Sequence, residues 1–263
     1  MINKKIKQPC KLCKNNAGFI FDKKIMNKYL SSYYECKKCK FIQTEKPYWL
    51  KEAYENPIND EDTGLIRRNF GMSKISSIVI FFWFNKRGLF LDYAGGYGLL
   101  TRLMRDIGFN YYWTDPFCLN IFSPGFELTK KNKKIELVTA FELFEHMENP
   151  IKDLEKILKH SKNILFSTKL IPKNTINISK WDYLYPEHGQ HISFYSQESL
   201  ENLAKKYKLN YYTDGVMIHL FTEKKISKIL FSNIPRFKDI LYFFSKIGLS
   251  SKTHEDNIRI GKK

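Results

Sequence analysis

Two pairs of cysteines open the chain, Cys10-x-x-Cys13 and Cys36-x-x-Cys39, with 22 residues between the pairs. A C-x-x-C turn aims both thiolates at one point, and two such turns complete a tetrahedral four-cysteine site for Zn²⁺. Disulfides would need an oxidising compartment, and a redox dithiol would leave the second pair without a purpose. Four thiolates with no fifth ligand nearby make a closed, structural site. Cys118 stands alone among apolar residues and is expected in the core. A second constellation is Asp92-Tyr93-Ala94-Gly95-Gly96-Tyr97-Gly98, with Asp115 lying 17 residues beyond the loop. Small residues let a ligand approach the backbone closely, and an acid at Asp115 can accept two hydrogen bonds from a ribose diol. A dinucleotide fingerprint needs G-x-G-x-x-G, but Gly96 and Gly98 are followed by Thr101. The acid two residues ahead of the loop would repel a pyrophosphate and suit a ligand carrying an ammonium or sulfonium charge. Ala94 fits this loop only with φ below zero. A third constellation runs from Trp181 to Ser196, WDYLYPEHGQHISFYS, where Glu187, His188 and His191 stand among aromatic side chains. Aromatic faces pack on sugar rings, and imidazole can accept a proton near neutral pH, so this loop is expected on the acceptor side of a pocket.

These residues need elements to hold them. Leu89–Asp92 is a short apolar strand ending in its acid. Leu99, Leu100, Leu103, Met104 and Ile107 give the next segment a helical period, closed by Gly108. Tyr111–Thr114 is the following strand, ending at Asp115. Ile135–Phe141 reads as a buried strand, Asn149 and Pro150 as the N-cap and first residue of a helix, and 163–168 as another strand. Ser196 caps a helix over Gln197–Tyr207, and 210–213 and 216–222 form a hairpin. Pro47–Asn56 reads as a short helix and Asp62–Phe84 as a longer one. Ile226, Leu230, Ile234, Phe237, Leu241 and Phe244 recur at helical spacing among lysines, with Pro235 interrupting. That stripe is expected to pack on its own domain rather than on an anionic membrane, and the tail after Ser250 to be loose. Alternation over His191–Tyr195 would bury Ile192 and Phe194 and put His191, Ser193 and Tyr195 together on the other face.

The pattern D-x-A-G-G-x-G resembles motif I of class I S-adenosylmethionine-dependent methyltransferases, E/D-x-G-x-G-x-G, with Ala94 replacing the first glycine. The ordered set extends the resemblance: Glu142-Leu143-Phe144-Glu145-His146 after the fourth strand, then Asn149-Pro150, then His191-Ile192-Ser193-Phe194-Tyr195-Ser196. A cysteine-bearing segment ending in Phe41-Ile42-Gln43-Thr44 is similar to the zinc-binding segment that precedes some bacterial sugar methyltransferases. The resemblance covers residues 10 to about 220. It implies an α/β Rossmann-like class I sheet with helices on both faces, plus a small N-terminal zinc ribbon held by Cys10, Cys13, Cys36 and Cys39. S-adenosylmethionine would be held by Asp92, Ala94, Gly95, Gly96, Gly98 and Asp115. Glu142 would face the methionine end or the substrate; Glu127 has no firm role. His191 is expected as general base ahead of His188, with an ascending pH–rate limb near neutrality. Glu142 and Glu187 are the carboxylate alternatives.

Composition bounds the rest. The 263 residues are 43% hydrophobic and carry a net charge of +17. That excludes a disordered chain, and no apolar run approaches the ~20 residues that span a bilayer. The N-terminus lacks an apolar h-region, so the chain is expected in the cytoplasm. Only seven of the 44 basic residues are Arg, and the lysines are dispersed, which argues against specific nucleic-acid binding. The expected acceptor is a small molecule, a nucleotide-linked or phosphorylated sugar or modifier used in bacterial capsule or lipopolysaccharide synthesis. The rival is an rRNA or tRNA methyltransferase with a zinc-ribbon RNA module; the FELFEH segment lacks the N/D-P-P-Y/F motif of base-amine methylators. A third reading is a degenerate binding module, which only Ala94 favours. The expected division is a ribbon at 1–46, a helical linker at 47–86, the methyltransferase domain at 87–222 and a helical extension with a tail at 223–263.

Overall fold

The computed structural model describes residues 7–55, 57–58, 62–129, 134–173 and 177–261. The N-terminal part contributes β1 (Gln8–Pro9), β2 (Asn16–Ile25), β3 (Tyr29–Cys36) and β4 (Ile42–Thr44), paired antiparallel in chain order. Alternating aromatic and β-branched residues suit β2 and β3 to a half-buried sheet. A short helix α1 (Leu50–Ala53) lies within the expected one, whose last residue, Asn56, lies outside the described residues. Helix α2 (Leu65–Trp83) follows and buries Met72 to Ile80 almost continuously.

The second sheet is built from β5 (Leu89–Tyr93), helix α3 (Leu99–Ile107), β6 (Asn110–Thr114), β7 (Ile135–Ala140), helix α4 (Pro150–Leu158) and β8 (Ile164–Ser167). The chain then makes β9 (Ser193–Phe194), helix α5 (Gln197–Lys206), β10 (Asn210–Thr213), β11 (Ile218–Thr222), helix α6 (Lys228–Ser245) and helix α7 (Thr253–Gly261). The order across the sheet is β10-β11-β8-β7-β5-β6. The four strands from β6 to β8 are parallel, and β10 and β11 close the other edge as an antiparallel hairpin. Apolar residues of the parallel strands face helices on both sides, as a sheet buried on both faces requires. Asn149 accepts from the Lys152 amide and Ser196 from the Ser199 amide, the two caps expected for α4 and α5.

Among the described residues the sheet keeps a single parallel bridge beyond β6, Trp113 to Glu127, where a further strand would stand. Strand order reverses at β5, since β6 lies on one side and β7 on the other. In open α/β sheets a ligand crevice forms outside the carboxyl ends of the strands at such a point.

Two features tie distant parts of the chain together. Strand β9 joins β4 of the N-terminal sheet, with Ile42 opposite Phe194 and Gln43 opposite Ser193, so that sheet takes an edge strand from far along the chain. The segment after Ser250 is not a loose tail. It forms α7, whose buried Asp256 receives Arg105 Nε at 2.7 Å and Arg102 Nη2 at 2.9 Å. The Arg105 guanidinium lies 3.6 Å from the Phe126 ring centroid and that of Arg259 in α7 lies 4.9 Å from the same ring, so charge pairing and a shared aromatic face hold the tail beside α3. Among the described residues no helix is long and apolar enough to cross a membrane.

Candidate active site and cysteine cluster

A cavity of about 1180 Å³ opens at the crevice the topology predicts. Its volume slightly exceeds the ~300–1,000 Å³ of an ordinary small-molecule site, leaving room for two ligands side by side. The ends of β5, β6 and β7 supply Asp92–Tyr97, Asp115–Cys118 and Phe141–Leu143. Helix α2 supplies Arg68, and the 181–196 loop supplies Tyr183, Tyr185, His188 and His191.

The loop after β5 is held from below. Asp92 is almost wholly buried, accepting from Thr139 Oγ1 at 3.0 Å and Thr101 Oγ1 at 3.4 Å. Burial pushes its carboxyl up to about 7, against those two hydroxyls. Gly95 sits directly on it: a Cβ there would lie 2.5 Å from Asp92 Oδ2 and 2.8 Å from Trp113 Cδ1. Ala94 has φ +56°, so the condition that it keep φ below zero is not met. The neighbouring close contacts fix the loop's path, and alanine is carried into the left-handed region that glycine occupies without strain.

Asp115 closes the other side of the loop. Its Oδ2 accepts from the Gly96 amide at 2.9 Å, and its Oδ1 accepts from the Phe117 and Cys118 amides at 2.7 and 2.9 Å. A carboxylate has about four acceptor positions, so roughly one remains for a ligand rather than two. Cys118 lines the cavity and is not a core residue; its apolar neighbours Phe117 and Leu119 are 61% and 78% exposed. Burial, with Asp115 second, raises its thiol to about 11. Glu127 lies outside the cavity lining, accepting from Asn120 Nδ2 and the Gly125 amide.

On the opposite wall, His191 Nδ1 lies 2.7 Å from the Tyr183 carbonyl oxygen. A carbonyl can only accept, so Nδ1 carries the proton and the neutral ring keeps its lone pair on Nε2. Burial lowers its pKa, opposed by the Tyr183 carbonyl and the Glu142 charge. Glu142, at φ +50°, accepts from Ser167 Oγ at 2.5 Å, and burial with the nearby Glu145 raises it to about 7. His188 stacks on Tyr185, ring centroids 5.6 Å apart. Glu187 is not among the lining residues. Ile192 and Phe194 are buried as expected, but so are Ser193 and Tyr195, which donate to the Met147 and Phe144 carbonyls beneath the cavity. Both faces of this segment are covered because it runs between the N-terminal sheet and the main core.

Sequence reasoning did not select Tyr54, Arg68, Glu145, His146 or Tyr183. Tyr54 stacks on Phe117 at 4.8 Å and its hydroxyl lies 3.0 Å from His146 Nδ1, joining α1 to the far rim. Tyr183 donates to the buried Glu145 at 2.6 Å. The ExxEH run contained two of these residues, but only the fold shows which carboxylate reaches the cavity. The loop itself is fixed by long-range bonds: Trp49 Nε1 donates to the Gly189 carbonyl at 2.7 Å, and Gln190 donates to that of Ala53 at 2.8 Å. Gly189 has φ +70°, and a Cβ there would meet Ile25 at 2.9 Å, so the turn and the close packing both call for glycine.

The four cysteines form a second cluster, all four sulfurs within 4.8 Å of one another. Cys10 and Cys39 Sγ are 3.6 Å apart and Cys13 and Cys36 Sγ 3.4 Å, far beyond a disulfide bond of about 2.05 Å. Tetrahedral thiolates at about 2.3 Å from Zn²⁺ stand about 3.8 Å apart, so this donor set fits the metal.

Fold, crevice and loop together define a Rossmann-like α/β protein with a ligand-sized cavity at the carboxyl ends of β5, β6 and β7. A profile described as a methyltransferase domain matches residues 67–213, more than half of the chain, and the chain belongs to that family. It is an S-adenosylmethionine-dependent methyltransferase. Among solved structures, magnesium protoporphyrin IX methyltransferase from Synechocystis PCC 6803 with bound SAH is similar at 12% identity and TM-score 0.45, covering 67% of this chain and 97% of that one. CalO1, a methyltransferase in calicheamicin biosynthesis, is similar at 11% identity and TM-score 0.39, covering 58% of this chain and 54% of that one. The small RNA methyltransferase HEN1 is similar at 15% identity and TM-score 0.43, covering 59% of this chain and 26% of that one. No curated protein sequence matches the chain.

Proposed function

We propose that the protein O-methylates a sugar or small modifier, a nucleotide-linked or phosphorylated compound of bacterial capsule or lipopolysaccharide synthesis, with His191 as general base. The observation that carries the reading is the fixed tautomer of His191, whose proton is committed to the Tyr183 carbonyl on a wall of the cavity that also holds the glycine loop. Ala94, Gly95, Gly96 and Gly98 hold the methionine part of S-adenosylmethionine, Asp92 supports the loop from beneath, and Asp115 takes a ribose hydroxyl. The bound cofactor supplies an electrophilic sulfonium methyl. His191 Nε2 would accept the acceptor hydroxyl's proton as its oxygen takes the methyl and S-adenosylhomocysteine leaves, and the imidazolium would then return that proton to solvent. Glu142 stabilises the imidazolium from across the cavity, and His188 with Tyr185 supplies a flat face for the sugar. The enclosed wall of aromatic rings suits a small acceptor rather than the extended cationic groove of an RNA enzyme. Cys10, Cys13, Cys36 and Cys39 hold a structural Zn²⁺ that keeps the ribbon beneath the acceptor loop.

Acceptors drawn from sugar nucleotides are the test, with S-adenosylhomocysteine release as the readout. His191→Asn is expected to lower kcat by about 10²–10⁴-fold while leaving cofactor affinity unchanged. Because burial lowers the His191 pKa, the base becomes competent as pH rises through a value below the ordinary 6.5, so the ascending limb moves below neutrality. Its loss in His191→Asn supports the assignment. Turnover within about threefold of wild type, with the limb intact, overturns it.

A further inference from the structure

Helix α6 has two apolar faces, and the domain uses only one. Phe231, Ile234 and Ser245 are buried, and Phe231 meets Trp83 of α2 with ring centroids 6.1 Å apart. The helix kinks at Phe237, whose φ of −107° and ψ of 15° follow Pro235. Two of the residues that sequence spacing assigned inward, Phe237 and Phe244, lie on the outer side instead. The outer face shows Ile229 at 79% exposure, Phe237 at 44%, Ile240 at 64%, Phe243 at 68%, Phe244 at 48% and, just past the helix, Ile247 at 59%. At 100° per residue these six fall within one sector of the helix, with Arg236 among them.

The charges beside this stripe are mostly positive. Lys228, Arg236 and Lys246 lie within it or along its edge, and the acid on the helix, the exposed Asp239, is paired with Lys74 of α2 at 2.7 Å. The Arg236 guanidinium lies 5.4 Å from the Phe237 ring centroid and the Lys246 ammonium 4.8 Å from that of Tyr242, so both cations sit against the aromatic surface of the helix. We propose that this face of α6 is a docking surface for an anionic lipid bilayer. The six apolar side chains enter the headgroup boundary, and the bordering lysines and arginine pair with lipid phosphates. A second copy of the chain fits less well. A two-fold contact places the same patch on both partners, so the cationic border of one copy would face that of the other, on a protein whose net charge is already +17.

The test is co-sedimentation of the full chain with vesicles of phosphatidylcholine alone and of phosphatidylcholine mixed with phosphatidylglycerol. Partitioning onto the anionic vesicles should exceed that onto neutral ones by at least roughly tenfold at low salt and collapse at high salt. Ile240→Ser/Phe243→Ser and, separately, Arg236→Gln/Lys246→Gln should each lower it by at least about tenfold. All four side chains point outward, so thermal unfolding and S-adenosylhomocysteine binding should stay at wild-type values, which separates this surface from the cofactor site. The proposal is overturned by equal partitioning onto neutral and anionic vesicles, by binding that neither double variant changes, or by a wild-type dimer that Ile240→Ser/Phe243→Ser converts to monomer.

Discussion

Adjacent residues of the cofactor loop should respond in opposite directions to exchange of glycine and alanine. Gly95→Ala places a Cβ 2.5 Å from Asp92 Oδ2, 2.8 Å from Trp113 Cδ1 and 2.9 Å from Asp92 Cγ. Ordinary contact lies near ~3.5 Å, so these groups must retreat by roughly 0.7–1 Å. Neither has room. Asp92 is enclosed and bonded to Thr139 and Thr101, and the buried Trp113 donates its Nε1–H to the Gly96 carbonyl at 2.9 Å. Overpacking of this kind costs about 1–3 kcal/mol, and at ~2–4 °C per kcal/mol for a chain of this size Tm falls by about 2–12 °C. Because the Gly96 carbonyl moves with Trp113, S-adenosylhomocysteine affinity should fall as well. Ala94→Gly does the reverse. It removes the left-handed penalty of about 1–2 kcal/mol on alanine at φ +56°, against about 0.5–1 kcal/mol of added unfolded-chain entropy. The net is a gain of up to ~1.5 kcal/mol, with Tm rising by a few degrees at most. Differential scanning calorimetry reads the stability and isothermal titration the affinity. A Gly95→Ala protein that melts and binds like wild type, or an Ala94→Gly protein that melts lower, refutes the loop geometry on which the cofactor assignment stands.

Purified protein should carry one zinc per chain by atomic absorption, and Cys36→Ser should release it and raise hydrogen exchange over residues 10–46; a metal-free wild type with that region protected contradicts the assignment. Asp115→Ala should weaken S-adenosylhomocysteine binding by about 10–150-fold, the loss of one hydrogen bond to a charged acceptor worth ~1.5–3 kcal/mol. Unchanged affinity would place the ribose elsewhere. Asp256→Asn removes the shared partner of Arg102 and Arg105 and should cost about 3 kcal/mol, seen as a Tm drop of about 6–12 °C. A drop below about two degrees would mean that α7 does not hold α3.

The strands and loops around the glycine motif were legible because each carries a local signal. Apolar runs end in acids at Asp92 and Asp115, Gly108 closes α3, and Asn149 and Ser196 cap their helices. Other features left no such mark. Strand β9 is two residues long, and its partner β4 lies far away in sequence, so neither period nor composition announces the pairing. The left-handed Ala94 was misjudged because residue type sets a preference, while the packing of Gly95 on Asp92 sets the path. The tail, expected to be loose, is anchored by a single buried carboxylate between two arginines of α3. Of the cavity-lining residues, the histidines of the 181–196 loop are legible by residue type and Glu142 through the family resemblance. Tyr54, Arg68 and His146 come to the same cavity from α1, α2 and the end of β7, a convergence visible only once those elements are assembled.

The shared strand bears on how the chain is made. Synthesis at ~5–20 residues per second delivers β4 about 7–30 seconds before Ser193 and Phe194, roughly 150 residues later, leave the ribosome. Through that interval the outer edge of β4 offers unpaired amides and carbonyls to any neighbouring chain, a hazard that natural sheets ordinarily blunt. The four cysteines of the cluster all precede residue 40, so the corner joining β1 to β3 can close while the edge is still waiting. The 181–196 loop is then recruited to a platform already in place, and vectorial assembly runs from the N-terminal sheet toward the cavity. A nascent chain stalled before residue 193 should accordingly be more prone to associate than one stalled after 200.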